Sequence, residues 1–157
     1  MNAMLAPFLM GLFGGQRAIT PLAAVSVAAA TGHLAPGHGA PPLLGHPLVA
    51  SATVALAAAE LAGDKMKTAP DRIVPAGLIA RFLTNAIAGA ALVPWQQRWQ
   101  GAAVGGTTAL VASYPGWRAR MAAIPVHGQT RSGLAEDAVV VAGAIAVVAL
   151  LGRIARA

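Results

Sequence analysis

The sequence predicts an all-α, polytopic integral membrane protein of about five transmembrane helices, the first of them broken. Three observations predict it. Only 10% of the residues are charged, against roughly 25% in an ordinary soluble domain. Hydrophobic residues make up 57% of the chain, and the mean hydropathy is +0.65. The apolar residues gather into recurring runs with short polar breaks, and a transmembrane helix needs about 20 largely apolar residues. A length of 157 residues suits one domain, so residues 1–157 read as a single transmembrane domain.

Composition excludes several classes. There are no cysteines, hence no disulfides, thiolate metal sites or cysteine nucleophiles. The net charge is +6 and the pI about 11.5, which in a soluble protein would point to nucleic acid. Here the basic residues sit between apolar runs, as they do in the loops of membrane proteins, and no nucleic-acid partner is expected. Arginine far outnumbers lysine and alanine is abundant. That composition suggests a GC-rich bacterium and hence the bacterial inner membrane.

The first apolar run extends from Met4 to Thr31. No Lys or Arg precedes it and Arg17 interrupts it, so it is expected to be retained rather than cleaved as a signal peptide. As one helix it would span about 42 Å, longer than a bilayer core. Gly14-Gly15-Gln16-Arg17, followed by Thr20-Pro21, marks a break, since Gly pairs and Pro are the usual causes. Either the helix is kinked and tilted with Arg17 snorkelling, or it unwinds into two half-helices. Irregular backbone at membrane depth survives only where it is buried in protein or lines a cavity.

Gly32 to His46 is a Gly/Pro/His segment without fixed charge. The spacing of His33, His38 and His46 fits no helical face, so a mobile external loop is expected there rather than a metal site. The second run, Pro47 to Gly63, leads into a charged loop with Glu60, Asp64, Lys65, Lys67, Asp71 and Arg72. The third, Ile73 to Val93, carries Gly77, Arg81, Asn85, Gly89 and Val93 at i+4 spacing. Such a small and polar stripe must face protein or water.

The fourth run is Gly101 to Trp117 and the fifth Ala138 to Gly152, joined by a loop with Arg118, Arg120 and Arg131. Glu136 and Asp137 then open the fifth helix, where acids suit the partial positive charge of a helix N-terminus; a second reading has them complete an ionic cluster with Arg17 or Arg72. Trp95, Trp99 and Trp117 fall at helix ends as interfacial anchors. Gly11-x-x-x-Gly15 and Gly101-x-x-x-Gly105 are small-residue pairs that let helix backbones approach. If every run crosses once, the N-terminus shares a side with both charged loops. Those loops carry six Lys/Arg against three on the other side, which makes theirs the cytoplasmic side. A re-entrant first run would put the N-terminus on the opposite side.

Arg81 lies about 12 Å along its helix from Ile73, and Arg17 is comparably deep. A charge at that depth is costly and normally paired or functional. Glu60 and Asp64, at i,i+4, share a helix face and would repel without a cation. Three readings follow: an ion-pair cluster that fixes helix register, anion binding by the arginines, or a Mg²⁺ site. No G-x-S-x-G, P-loop, H-E-x-x-H or dinucleotide fingerprint is present.

Four elements resemble, in order, those of a family of small bacterial membrane proteins, domain of unknown function 4126. Gly15-Gln16-Arg17-Ala18-Ile19-Thr20-Pro21 is similar to its G-L-R-S-x-T-x-P element, and Ala59-Glu60-Leu61-Ala62-Gly63-Asp64-Lys65 to its A-E-L-x-x-D-K element. Pro70-Asp71-Arg72, Pro75, Leu78, Arg81, Ala86 and Gly89 match its P-x-R-x-x-P-x-x-L-x-x-R segment and the small residues after it. Glu136-Asp137-Ala138 resembles its late acidic element. Gln16 stands where the family has Leu, and Asn85 where it has Gly, which sets a polar amide at a position of close packing. The resemblance covers nearly the whole chain and implies a multi-pass membrane protein; it supplies no activity.

The leading functional expectation is binding or transport of a small anionic or lipid-phosphate ligand through intramembrane arginines. The candidate ligand-binding residues are Arg17, Thr20, Glu60, Asp64, Arg72, Arg81 and Asn85. The alternatives are a Mg²⁺-dependent enzyme acting on a lipid head group through Glu60, Asp64 and Asp71, and a non-catalytic membrane scaffold. No cofactor or resident metal is called for. The expected partners are membrane lipids, an anionic small molecule or lipid phosphate, and a second copy of the chain through the small-residue faces.

Overall fold

The computed structural model describes residues 3–65 and 73–154. Among these the chain is all-α: α1 (Leu5–Gly14), α2 (Thr20–Ala30), α3 (Pro47–Gly63), α4 (Pro75–Ala91), α5 (Arg98–His127) and α6 (Gln129–Ile154), with short 3-10 turns at Pro42–Gly45 and Trp95–Gln97. Proline marks the starts of α2, α3 and α4, where its missing N–H is no loss and its φ is already helical. Pro115 and Pro125 lie inside α5.

The packing of small residues sets the helix directions. Gly101 of α5 lies against the backbone of Gly89, and Gly105 against that of Asn85. A Cβ at either glycine would overlap the facing backbone, so α4 and α5 are antiparallel and in backbone contact. Gly11 packs on the Gly105 carbonyl and Thr108, Gly15 on Ala112, and Gly116 makes room for the Gln16 amide. α1 is therefore parallel to α5. At the start of α2, the Thr84 hydroxyl of α4 donates to the Ala18 carbonyl at 2.7 Å. Beyond its other end, the Gly39 N–H donates to the Val93 carbonyl at 2.8 Å. Hence α2 runs with α4 and against α1.

The first apolar run thus doubles back: α1 and α2 form a splayed hairpin whose tip, Gly15–Ile19, is inside the protein. Of the two forms left open for this run, one kinked helix or two half-helices, it takes the second. Met4, the segment after Thr31, the turn at Val93–Arg98 and the end of α6 share one end of the bundle. Asp64, Val74 and the turn at Gly128 share the other. The apolar core of Met10, Val25, Ala28, Ala88, Ala144 and Val148 lies between the hairpin, α4 and α6.

Two further expectations change. The segment from Arg118 to Asp137 is not a loop; α5 and α6 continue through it, separated only at Gly128, whose φ of 78° suits glycine and ends α5. Trp117 consequently sits mid-helix, 5.7 Å from the Tyr114 ring centroid, and not at a helix end. Nor is the histidine segment untethered: besides Gly39, the Trp95 N–H donates to the Gly37 carbonyl at 2.8 Å. His38 Nδ1 accepts from the Ala40 N–H and His46 Nδ1 from the Leu48 N–H.

One helix among the described residues, Gln129–Arg153, is long and apolar enough to cross a membrane; α3 and α4 have 17 residues each, about 25 Å of helix.

Candidate functional site

The hairpin tip is the centre of a buried ionic network. Arg17 follows the helix break at Gly15 and is 1% exposed. Its Nε and Nη2 both donate to Asp137 Oδ1, at 2.8 and 2.5 Å. Nη2 also lies 3.0 Å from Asp64 Oδ2 and 3.7 Å from Glu136 Oε2. A second arginine, Arg120 of α5, is 5% exposed. Its Nη2 is 3.0 Å from the same Asp64 oxygen, and its Nη1 is 2.8 Å from Glu136 Oε2. Lys65 Nζ pairs with the other Asp137 oxygen, Oδ2, and donates to the Leu61 carbonyl at 2.7 Å.

Three helices deliver these groups. α3 ends at Gly63 and places Asp64 and Lys65 at its C-terminal edge. α5 and α6 flank Gly128, so Arg120 and Glu136, each eight residues from it, come face to face across the turn. Asp137, one residue on, points round α6 to Arg17. The three cations and three carboxylates named here balance. A buried charge is costly unless paired and hydrogen-bonded, and each of these is held by an opposite charge.

Glu60 has a different task. Its Oε1 accepts from the Ala18 N–H at 2.7 Å and its Oε2 from the Ile19 N–H at 2.9 Å. These N–H groups lie at the start of α2, where a helix leaves donors unsatisfied and carries partial positive charge. A free helix N-terminus attracts anions; this one is closed by the chain's own carboxylate.

Of the sequence-predicted site residues, Arg17 and Asp64 are brought together directly, with Glu60 beside them at the tip. Thr20 is buried in the first turn of α2, and its hydroxyl has no hydrogen-bond partner among the described residues. Arg81 and Asn85 are buried on the protein-facing side of α4, as the i+4 stripe requires. The Asn85 amide, however, turns back on its own helix, donating to the Arg81 carbonyl at 2.9 Å, and fills the space beside Gly14. Arg72, like Asp71, lies outside the described residues.

Sequence reasoning missed Arg120; of its two readings of Glu136 and Asp137, the ionic cluster with Arg17 is the one observed. Both acids lie two turns inside α6 rather than at its N-terminus, so the helix-end role assigned to them does not apply. The available signal was the equal spacing of Arg120 and Glu136 about a glycine, which a helical hairpin would place opposite each other.

Two apolar-walled cavities flank the network. One, of about 670 Å³, runs between α2, α3 and α6 from Thr20 and Leu61 to Thr31 and Gly152. The other, of about 560 Å³, lies between the tip of α1, α5 and α6, with Arg120 and Glu136 in its wall. No group of three or more His, Asp or Glu side chains among the described residues is placed to hold a metal ion. No family model, curated protein or solved structure matches the chain.

Proposed function

We propose that this chain is a multi-pass membrane protein of the bacterial inner membrane, related to domain of unknown function 4126, that binds an anionic or lipid-phosphate ligand at the α1–α2 hairpin tip. In this reading α3 to α6 cross the bilayer, and α1 and α2 enter from one side and return to it.

The membrane part of the reading is supported by an inside-out distribution of polarity. Leu48 and Val111 are each 74% exposed and Val126 is 73% exposed, while Arg17, Arg120 and Asp137 are buried. Soluble domains bury charges rarely and do not surround them with exposed aliphatic side chains. The irregular backbone at Gly15–Ile19 is buried in protein, as lipid requires. α3 and α4 are shorter than a typical span, a mismatch that local bilayer thinning accommodates. Along the sequence, segments 64–74 and 118–137 together carry six Lys/Arg, against three in 94–100 and 153–157. The Gly128 end is therefore cytoplasmic, and the N-terminus is on the far side.

The ligand part rests on one observation: two buried arginines share a single carboxylate oxygen of Asp64. Guanidinium forks suit phosphate and carboxylate alike. An incoming anion would replace Asp64 between Arg17 and Arg120, and Asp64, at the edge of α3, would swing out. The Mg²⁺-enzyme alternative has less support, because Glu60 is spent on two backbone N–H groups and Asp64 on two arginines. The scaffold alternative is favoured by the pairing of three cations with three carboxylates among the described residues.

Thermal unfolding of the purified protein separates anion site from scaffold. Ligand binding to the native state raises the melting temperature by linkage. Short-chain phosphatidate or inorganic phosphate should stabilise the wild type but neither Arg17→Lys nor Arg120→Lys. If a broad panel of anionic lipids and small anions shifts none of them, the network is a scaffold.

A further inference from the structure

We infer that the α5–α6 groove is a binding site for an anionic phospholipid, its head group at Arg131 and its acyl chain against Phe13 and Val139. The inference rests on the membrane reading above but not on exchange at Asp64. The groove encloses about 560 Å³, within the range of small-molecule sites. Its two ends differ in chemistry. At the Gly128 end, His127, Arg131 and Ser132 line it; toward the middle of the bundle the wall becomes Phe13, Val139 and Val140. From Arg131 to Val140 the wall runs about 13 Å along α6, enough for a head group and the first half of an acyl chain.

Charge complementarity selects the occupant. Arg120 and Glu136 both line the groove, but they satisfy each other at 2.8 Å. Arg131 forms no ion pair among the described residues, and His127 adds a second nitrogen base at the same rim. Among the described residues the rim therefore carries one positive charge with no counter-charge, beside an apolar wall. A zwitterionic head group would bring its own cation against Arg131; a phosphatidylglycerol or phosphatidate head group would not. The position agrees with the basic end of the bundle, where pockets between membrane helices receive anionic head groups. The Ser132 hydroxyl donates to the Gly128 carbonyl at 2.9 Å, and its oxygen remains available as an acceptor for a glycerol hydroxyl.

The test uses the full chain in non-ionic detergent, with native mass spectrometry and thermal unfolding as readouts. The probes are dioctanoyl-phosphatidylglycerol, dioctanoyl-phosphatidylcholine and sodium phosphate. Wild type should bind the phosphatidylglycerol at least tenfold more tightly than the phosphatidylcholine, and sodium phosphate should not compete. Arg131→Glu should lose that preference. Ala135→Trp, which fills the groove without touching its charges, should lose binding of both lipids. Asp64→Asn should keep the preference, which separates failure here from failure of the exchange reading. Equal binding of the two lipids, an unchanged Arg131→Glu, or competition by phosphate alone would overturn the inference.

Discussion

Arg17 and Asp137 meet through a single carboxylate oxygen: Nε at 2.8 Å and Nη2 at 2.5 Å both reach Asp137 Oδ1. The other Asp137 oxygen is taken by Lys65. The tip of the α1–α2 hairpin is in this way tied to α6 and α3 by one buried acid. Removing one partner of such a pair leaves an uncompensated buried charge, which costs about 3–5 kcal/mol. Arg17→Ala and Asp137→Ala should each destabilise by that order, and the double variant by clearly less than their sum. Denaturant or thermal unfolding of the four proteins measures the coupling. Additive losses would contradict the pairing.

Glu60 closes the N-terminal end of α2 from the opposite side. Glu60→Ala removes both acceptors from Ala18 and Ile19 and a negative charge from a helix N-terminus. A loss of about 1–2 kcal/mol is expected. Glu60→Gln, which keeps one acceptor, should lose less. Hydrogen exchange at the Ala18 and Ile19 amides reads the cap directly, and unchanged protection in Glu60→Ala would rule it out.

The α4–α5 contact predicts a sharp contrast between glycines. A Cβ at Gly105 would strike the backbone of Asn85, whereas one at Gly63 meets nothing within 4 Å. Gly105→Ala should destabilise by about 1–3 kcal/mol through overpacking. Gly63→Ala should be neutral or stabilising, since alanine is the better helix residue. Equal melting temperatures for the two variants would mean that the helices do not approach so closely.

Much of this architecture was legible in the sequence, for identifiable reasons. Proline at 47 and the glycine–aspartate pair at 63–64 bound α3 on both sides, and the observed helix is Pro47–Gly63. Gly14-Gly15 and Thr20-Pro21 marked the break in the first run, and the Arg81–Asn85–Gly89 stripe marked the protein-facing side of α4. The direction of α2 was not legible. Local sequence says where a helix stops, but the return of the chain depends on which neighbours each half packs against. Arg120 was hidden for a related reason. Arginines beyond an apolar run read as solvated loop, and only the continuation of α5 to His127 brings Arg120 inside. Glu60 was visible as a deep acid, yet its partners are backbone N–H groups some forty residues away, which no side-chain pattern reveals.

The doubled-back hairpin makes a topological prediction. Single cysteines at Ala3 and Pro36 should label from one side of the membrane, and one at Thr130 from the other. The cysteine-free background makes the experiment simple. Opposite labelling of Ala3 and Pro36 would require α1–α2 to cross once and would overturn the hairpin as a membrane arrangement.

Asp64→Asn tests the exchange reading most directly. The substitution removes the charge that Arg17 and Arg120 share while leaving an amide of the same shape. If Asp64 occupies the seat of an anion, the variant should bind phosphate or short-chain phosphatidate at least tenfold more tightly than wild type, as measured by equilibrium titration. Its lost stability should return as the anion is added. If the three carboxylates serve only to neutralise the three cations, Asp64→Asn will be destabilised, will bind no anion more tightly than wild type, and will not be rescued at any anion concentration.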